Sequence, residues 1–249
     1  MNYKKLLEEK FNSLKDKWIV TSRKAGDECI GNTFEDLIGK KEDNLPIADF
    51  GDIEIKSHRI TTGSKVSLFS KSPKGRGINS KLRTKYGLPD EEKPEYNILY
   101  PVVSTQKYTQ YKDGYKFKLI VDDENQKIWL FIKDKNDIMV EDNTTGIQGG
   151  IYWPYEYIQK VVNKKLKNIA IVYGEEKTEN GKHKVRFSDL KIITGISFEM
   201  ILDKIKNGQI VLELRLGVFK SGENEGKHHD HGSSFRITLE NLLTIKESC

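Results

Sequence analysis

The chain has 249 residues, 32% of them charged and 36% hydrophobic, with 42 Lys and Arg against 37 Asp and Glu for a formal net charge of +5. At roughly 100 to 200 residues per domain, this length allows one large domain or two lobes, and no apolar run nears the ~20 residues a bilayer-crossing helix needs, which excludes a helical membrane protein. Two cysteines, Cys29 and Cys249, exclude a disulfide framework, and the charged N-terminus lacks the apolar core of a secretion signal, so the expected compartment is the cytoplasm.

In chain order, Leu6, Leu7, Phe11 and Leu14 recur at spacings of three and four among Lys and Glu, the pattern of an amphipathic helix over residues 3–16. Asn32 is placed to cap a short helix, TFEDLI, that stops at Gly39, with Glu35 at the third helical position where a capping box puts a Glu. The pattern then changes to period two. IADFGDIEIKSH reads as a strand, a turn at Gly51, and a second strand with Ile53 and Ile55 on one side and Asp52, Glu54 and Lys56 on the other. VSLFS is a third strand, and Lys71 to Pro94 is loop-rich around a helical INSKLRTKY.

ILYPVV, FKLIV and KIWLFI read as strands, the last two joined as a hairpin through DDENQ. Residues 143–151 make a flexible break and the candidate lobe boundary. Beyond it come helix PYEYIQKVVNKKL, strand NIAIVY, a turn at Gly181, strand KVRFSDL, helix FEMILDKIKNG and strand QIVLELRLGVF. A polar loop or hairpin tip from Lys220 to Ser234 precedes strand SFRITL and a short Leu-rich end. The class is mixed α/β.

Two constellations carry chemistry. Asp49, Glu54 and Lys56 are spaced DX4EXK, with Glu35 on the preceding helix. Paired carboxylates suit a hard cation such as Mg2+, which takes one or two protein carboxylates plus a phosphate oxygen, and a neighbouring lysine suits phosphodiester hydrolysis. A chain this rich in Asp, Glu and Lys yields roughly one third of such a match by chance. The bland alternative is a turn aspartate and the solvated face of an edge strand.

The second constellation is ELRLGVFKSGENEGKHHDHGSSFRI, with Glu213, Arg215, His228, His229, Asp230, His231 and Arg236. Arg and His donate to guanine while Asp and Glu accept from cytosine, as a major-groove reader requires. A zinc site at the histidines and a solvated hairpin tip are the alternatives, although no Cys or further His completes a zinc spacing.

The segments GNTFEDLIGKKEDNLPIADFGDIEIKSH, LFSKSPKGRG, NKKLKNIAIV and RLGVFKSGENEGKHHDHGSSFRI, in this order, closely resemble the MvaI/BcnI family of type II restriction endonucleases. The resemblance implies a PD(D/E)XK nuclease core of α/β (α+β mixed-sheet) class, related to the MutH nickase, with a DNA-recognition lobe. Residues 1–150 would be mainly catalytic and 151–249 mainly recognition, the lobes free to be discontinuous. Asp49 and Glu54 would hold Mg2+, Lys56 would position or activate the water, and Glu35 would support the metal or Lys56.

An alanine, Ala48, stands where the motif's name has a proline. Glu213, Arg215, His229, Asp230, His231 and Arg236 match positions resembling the family's base-contacting set. Phe219 stands where a tyrosine is expected, which removes a phenol contact. Lys71 and Lys74, beside Arg76, suit phosphate contacts. The resemblance further implies a monomer that cuts a CCWGG-like site in double-stranded DNA one strand at a time, with no membrane and no obligate protein partner, and a cognate DNA methyltransferase in the host. The runner-up is a MutH-like nicking endonuclease of repair.

Overall fold

The computed structural model describes residues 2–26, 28–40, 48–60, 63, 65–112, 114–140 and 150–246, and for 229–231 the backbone only. The first elements are α1 (Tyr3–Leu14), β1 (Ile19–Val20), α2 (Cys29–Ile38), β2 (Glu54–Arg59), β3 (Val66–Ser70), α3 (Ile78–Tyr86), β4 (Leu88–Pro89), β5 (Asn97–Ile98), β6 (Val102–Val103) and β7 (Thr109–Gln110). There follow β8 (Lys116–Asp122), β9 (Lys127–Lys133), β10 (Tyr152–Pro154), α4 (Tyr155–Val161) running into a π-helical turn (Val162–Leu166), β11 (Asn168–Glu179) and β12 (Lys182–Thr194). The last are α5 (Phe198–Lys206), β13 (Ile210–Val218), β14 (His228–Ile237) and α6 (Leu239–Leu243).

Two units interleave along the chain: Met1–Val66, Lys160–Met200 and Thr238–Cys249 in one, Ser67–Gln159 and Ile201–Ile237 in the other. The first is built on a sheet of order β1-β12-β11-β2. β11 and β12 form a long hairpin, and β2 joins β11 in parallel, pairing Glu54 with Ile169 and Lys56 with Ile171. One face is covered by α1 and α2, which bury Leu7, Phe11, Ile30 and Phe34 against Ile53, Ile55, Val172 and Phe187. Each such side chain contributes about 1.5 to 3 kcal/mol of burial. Asn2 caps α1 by accepting from the Lys5 amide at 3.1 Å.

The second unit holds a meander of order β10-β9-β8-β7 and a sheet of order β3-β14-β13-β6. Its core includes Phe69 stacked on Phe235 and Trp153 edge-on to Phe235.

Four local readings differ from the structure. α2 begins at Cys29, so Asn32 is an interior helical residue and Glu35 is in no capping box; the buried Ile30 and Phe34, four apart, extend the apolar stripe back past Asn32. Gly31 lets this helix approach β2 closely, since a β-carbon there would sit 2.9 Å from Ser57 Oγ. Ala48–Phe50 is no strand: Phe50 bridges only to Ile53 across the turn, where Gly51 has φ +65° and a β-carbon would meet the Tyr3 ring at 2.3 Å. Ile47 lies outside the described residues.

ILYPVV is broken into β5 and β6 because Pro101 has no amide hydrogen for a ladder. Finally, β14 begins at His228, since Val218, Gly217 and Leu216 of β13 pair with His228, His229 and Asp230. The histidines therefore belong to a strand rather than to a hairpin tip.

Candidate functional site

Alternation along β2 places Glu54 and Lys56 on one face while Ile53 and Ile55 enter the core on the other. Glu54 is only 3% exposed. Its Oε1 accepts a hydrogen bond from Lys56 Nζ at 2.8 Å and lies 3.4 Å from Lys165 Nζ, while Oε2 has no hydrogen-bond partner. A buried acceptor left unpaired costs about 1 to 3 kcal/mol. An oxygen in that state, on a carboxylate already flanked by two lysines, marks a place for a further cation.

Asp49 is locked to the start of β2, its Oδ2 accepting from the Ile55 amide at 2.9 Å. Among the described residues, Oδ1 has no hydrogen-bond partner. Glu35 projects from α2 toward the same charges. Its carboxyl is pushed up to about 7, first by burial, then by the negative charge of Asp49 and, more weakly, of Glu54, against the lowering influence of Lys56 and Lys40. Three carboxylates thus concentrate negative charge that a divalent cation relieves.

Glu35, Asp49, Glu54 and Lys56 are therefore brought together in one unit. Lys165 was missed by the sequence reading. It sits in the π-helical turn just before β11; the segment NKKLKNIAIV belongs to the resemblance, but its Lys-rich run by itself reads as ordinary solvated surface and singles out no lysine.

In the other unit, Leu212, Leu214 and Leu216 are buried while Glu213 and Arg215 alternate with them. Arg236 of β14 donates to Glu213 Oε2 at 2.6 Å, joining a donor and an acceptor across adjacent strands. Arg215 is exposed and sits at a register shift between Leu214 and Leu216, where a bulge re-aims a side chain. Beside it, Tyr100 (46% exposed) and Val102 (40% exposed) line a shallow pocket with Glu213 and Arg215, a pairing no sequence signal disclosed.

His228 faces α3, with Nε2 3.0 Å from Ser80 Oγ and Nδ1 3.2 Å from Arg83. The side chains of His229, Asp230 and His231 lie outside the described residues. The tip after Phe219 is held by Lys220 to Asp90 at 2.9 Å and to Glu92 at 2.8 Å, and by Lys93 to Glu225.

Lys71 and Lys74 are on a loop pinned to β10: the Trp153 indole donates to the Lys71 carbonyl at 2.6 Å and the Lys74 amide to the Tyr152 carbonyl at 2.8 Å. Lys71 Nζ lies 4.9 Å from the Tyr157 ring centre, and Lys74 Nζ 5.9 Å from that of Tyr152. Lys127, also missed, lies over the same Tyr152 ring at 4.6 Å and over Trp129 at 4.9 Å. Among the described residues none of these three lysines pairs with a carboxylate within 4.0 Å, which leaves their charge for an external anion.

Comparison with known proteins bears on both regions. The sequence profile of the MvaI/BcnI restriction endonuclease family matches residues 8–245. Among solved structures, restriction endonuclease MvaI in complex with its cognate DNA substrate is 40% identical with a TM-score of 0.86, covering 98% of this chain and 96% of that one. MvaI in the absence of DNA is 39% identical with a TM-score of 0.60, covering 98% and 95%. No curated protein sequence matches.

Proposed function

Because the chain belongs to the MvaI/BcnI restriction endonuclease family, and is thus a type II site-specific endonuclease, we propose that it cuts a CCWGG-like site in double-stranded DNA with Mg2+, as a monomer taking the two strands in succession. Cleavage belongs to the unit bearing Glu35, Asp49, Glu54 and Lys56, and reading to the unit bearing Glu213, Arg215 and Arg236. The observation that carries this reading is the buried Glu54 carboxylate, with one oxygen held by lysines and the other unpartnered.

Restriction endonucleases of this kind generally use a divalent metal. Asp49 Oδ1 and Glu54 Oε2 fit Mg2+, which binds through one or two carboxylates and leaves positions for phosphate oxygens. When bound, the ion supplies charge stabilisation at the scissile phosphate and a more acidic water. Lys56, fixed by Glu54 at 2.8 Å, orients the attacking water with its ammonium and offsets the charge that builds on the phosphate. Lys165 neutralises Glu54 from its other side and holds Oε1 in place, which keeps Oε2 directed at the cation. Glu35 supplies a carboxylate that ionises as the cation arrives.

For reading, Arg215 and Arg236 donate to guanine edges and Glu213 accepts from a cytosine amine, with His229, Asp230 and His231 on the adjoining strand in the same role. The Arg236–Glu213 pair presents donor and acceptor side by side, the complement of a G·C pair. Lys71 and Lys74 take phosphates. A site with a single central base pair lacks strict two-fold symmetry, which suits a monomer. No described helix is long and apolar enough to cross a membrane. A cytoplasmic setting and a cognate methyltransferase that protects the host follow from the same reading.

The deciding experiment digests DNA of known sequence with Mg2+ or with EDTA and sequences the ends. Mg2+-dependent double-strand ends at CCWGG are expected. Ends at another motif overturn the target, products that remain nicked favour a repair-type nickase, and cleavage in EDTA removes the metal.

A further inference from the structure

A second cluster in the first unit takes no part in this chemistry. Cys29, Glu176 and His183 each offer one ligand atom, and the three atoms lie within 4.8 Å of one another. They come from three elements: Cys29 opens α2, Glu176 is on β11 and His183 on β12, two residues along the paired hairpin. Cys29 is 2% exposed, and the Glu176 and His183 side chains 13% and 15%. Burial pushes the Cys29 thiol up, and its hydrogen-bonding neighbours are Thr33 Oγ1, a weak contact at 3.9 Å, and the Glu176 carboxylate.

The surrounding groups prepare this trio for a metal. Arg59 holds Glu176 Oε1, so Oε2 is the oxygen that faces His183 Nε2 at 2.9 Å. His183 Nδ1 is 3.3 Å from Thr178 Oγ1. The contact with Glu176 places a proton on Nε2; a metal there would displace it and leave the imidazole proton on Nδ1, where Thr178 Oγ1 can accept it, the arrangement by which an outer partner fixes a ligating histidine. Sulfur, nitrogen and oxygen together form a borderline-soft donor set suited to zinc rather than to magnesium. Zinc bonds of ~2.0 to 2.3 Å set neighbouring donors of a tetrahedron ~3.3 to 3.8 Å apart, so on binding an ion His183 Nε2 and Glu176 Oε2, now 2.9 Å apart, part slightly, while the donors that lie up to 4.8 Å apart draw together.

We propose that Cys29, Glu176 and His183 form a zinc-class metal site that clamps the start of α2 to the β11–β12 hairpin. Binding forms a bond from each residue to the ion and releases the thiol proton to solvent, and the thiolate and carboxylate balance the double positive charge. A water fills the fourth position. The consequence is mechanical: α2 also carries Glu35, so the clamp steadies the helix that presents it.

The test uses the full chain, stripped with EDTA and then titrated with Zn2+ in excess Mg2+. One zinc per chain is expected, with affinity falling more than about tenfold in Cys29→Ala and His183→Ala but retained in Asp49→Ala. Co2+ in place of Zn2+ should give a near-ultraviolet thiolate charge-transfer band that Cys29→Ser abolishes. Absence of stoichiometric zinc, zinc binding unchanged in His183→Ala, or a cobalt complex without the sulfur band would overturn the site. Should the Cys29 variants fail to fold, His183→Ala decides, because its ring is partly exposed and leaves the core intact.

Discussion

Glu54 and Arg215 stand at opposite ends of how a protein holds a working side chain. Glu54 is buried on a strand whose other face is core, with one oxygen fixed by two lysines. Arg215 is exposed, on a strand bulge, and free of any carboxylate among the described residues. Cleavage demands charges placed before the substrate arrives, since a group that must reorganise stabilises the transition state less. Reading demands side chains that exchange water for base edges, which an exposed guanidinium such as that of Arg215 does readily.

The comparison breaks first at the carboxylates. Asp49→Ala or Glu54→Ala should lower the cleavage rate by at least about a hundred- to a thousand-fold while leaving target binding largely intact. Nicking and binding assays on one labelled duplex measure both. Cleavage retained in either variant removes the site assignment, and target binding lost together with cleavage would mean that the two regions are less separable than their architecture suggests.

Next comes Arg215→Ala, which should cost about 1 to 3 kcal/mol of discrimination between target and random DNA with little change in melting temperature, because the side chain is exposed and among the described residues pairs with no carboxylate. Equal losses on both DNAs would make it a phosphate contact. Arg236→Ala is the sharper contrast. It removes the guanidinium that donates to the mostly buried Glu213 carboxylate, so it should lower stability as well as discrimination.

What was legible in the sequence follows the same division. Asp49, Glu54 and Lys56 lie within eight positions on a turn and a strand, so alternation and spacing alone put two of them on one face. Lys165 reaches Glu54 only because β11 pairs with β2 more than a hundred residues away, and no local pattern encodes that pairing. The start of β14 was hidden for the same reason: His228 to His231 have loop-like composition, and it is β13 that makes them a strand. Asn32 misled in the other direction, a good capping residue overruled by the burial of Ile30 and Cys29 in front of it.

Glu35 offers a smaller, pH-dependent test. Its carboxyl titrates near 4.5 unfolded and about 7 folded, with burial the main cause. Between those values the native state holds the extra proton, so this group's contribution to stability falls as pH rises and is fully lost above about pH 7. In the absence of metal the melting temperature should therefore decline across that window, less steeply in Glu35→Gln. Because a cation favours the ionised form, the stabilisation given by Mg2+ should grow over the same range. A wild-type profile that matches Glu35→Gln with and without Mg2+ would place Glu35 outside the metal's field.

The smallest effect belongs to the lysines over Tyr152. Lys74→Ala should weaken binding to target and random DNA alike and reduce the slope of log affinity against log salt by about 1, the loss of one phosphate contact. Lys127 shares the Tyr152 ring, so Lys127→Ala should produce a second, similar decrement if DNA passes over both ammonium groups. An unchanged slope in Lys127→Ala with a reduced one in Lys74→Ala would confine the phosphate path to the loop before α3. Loss of target discrimination in either variant would move a lysine from the backbone to the bases, and with it would go the separation of steering from reading that the exposed Arg215 implies.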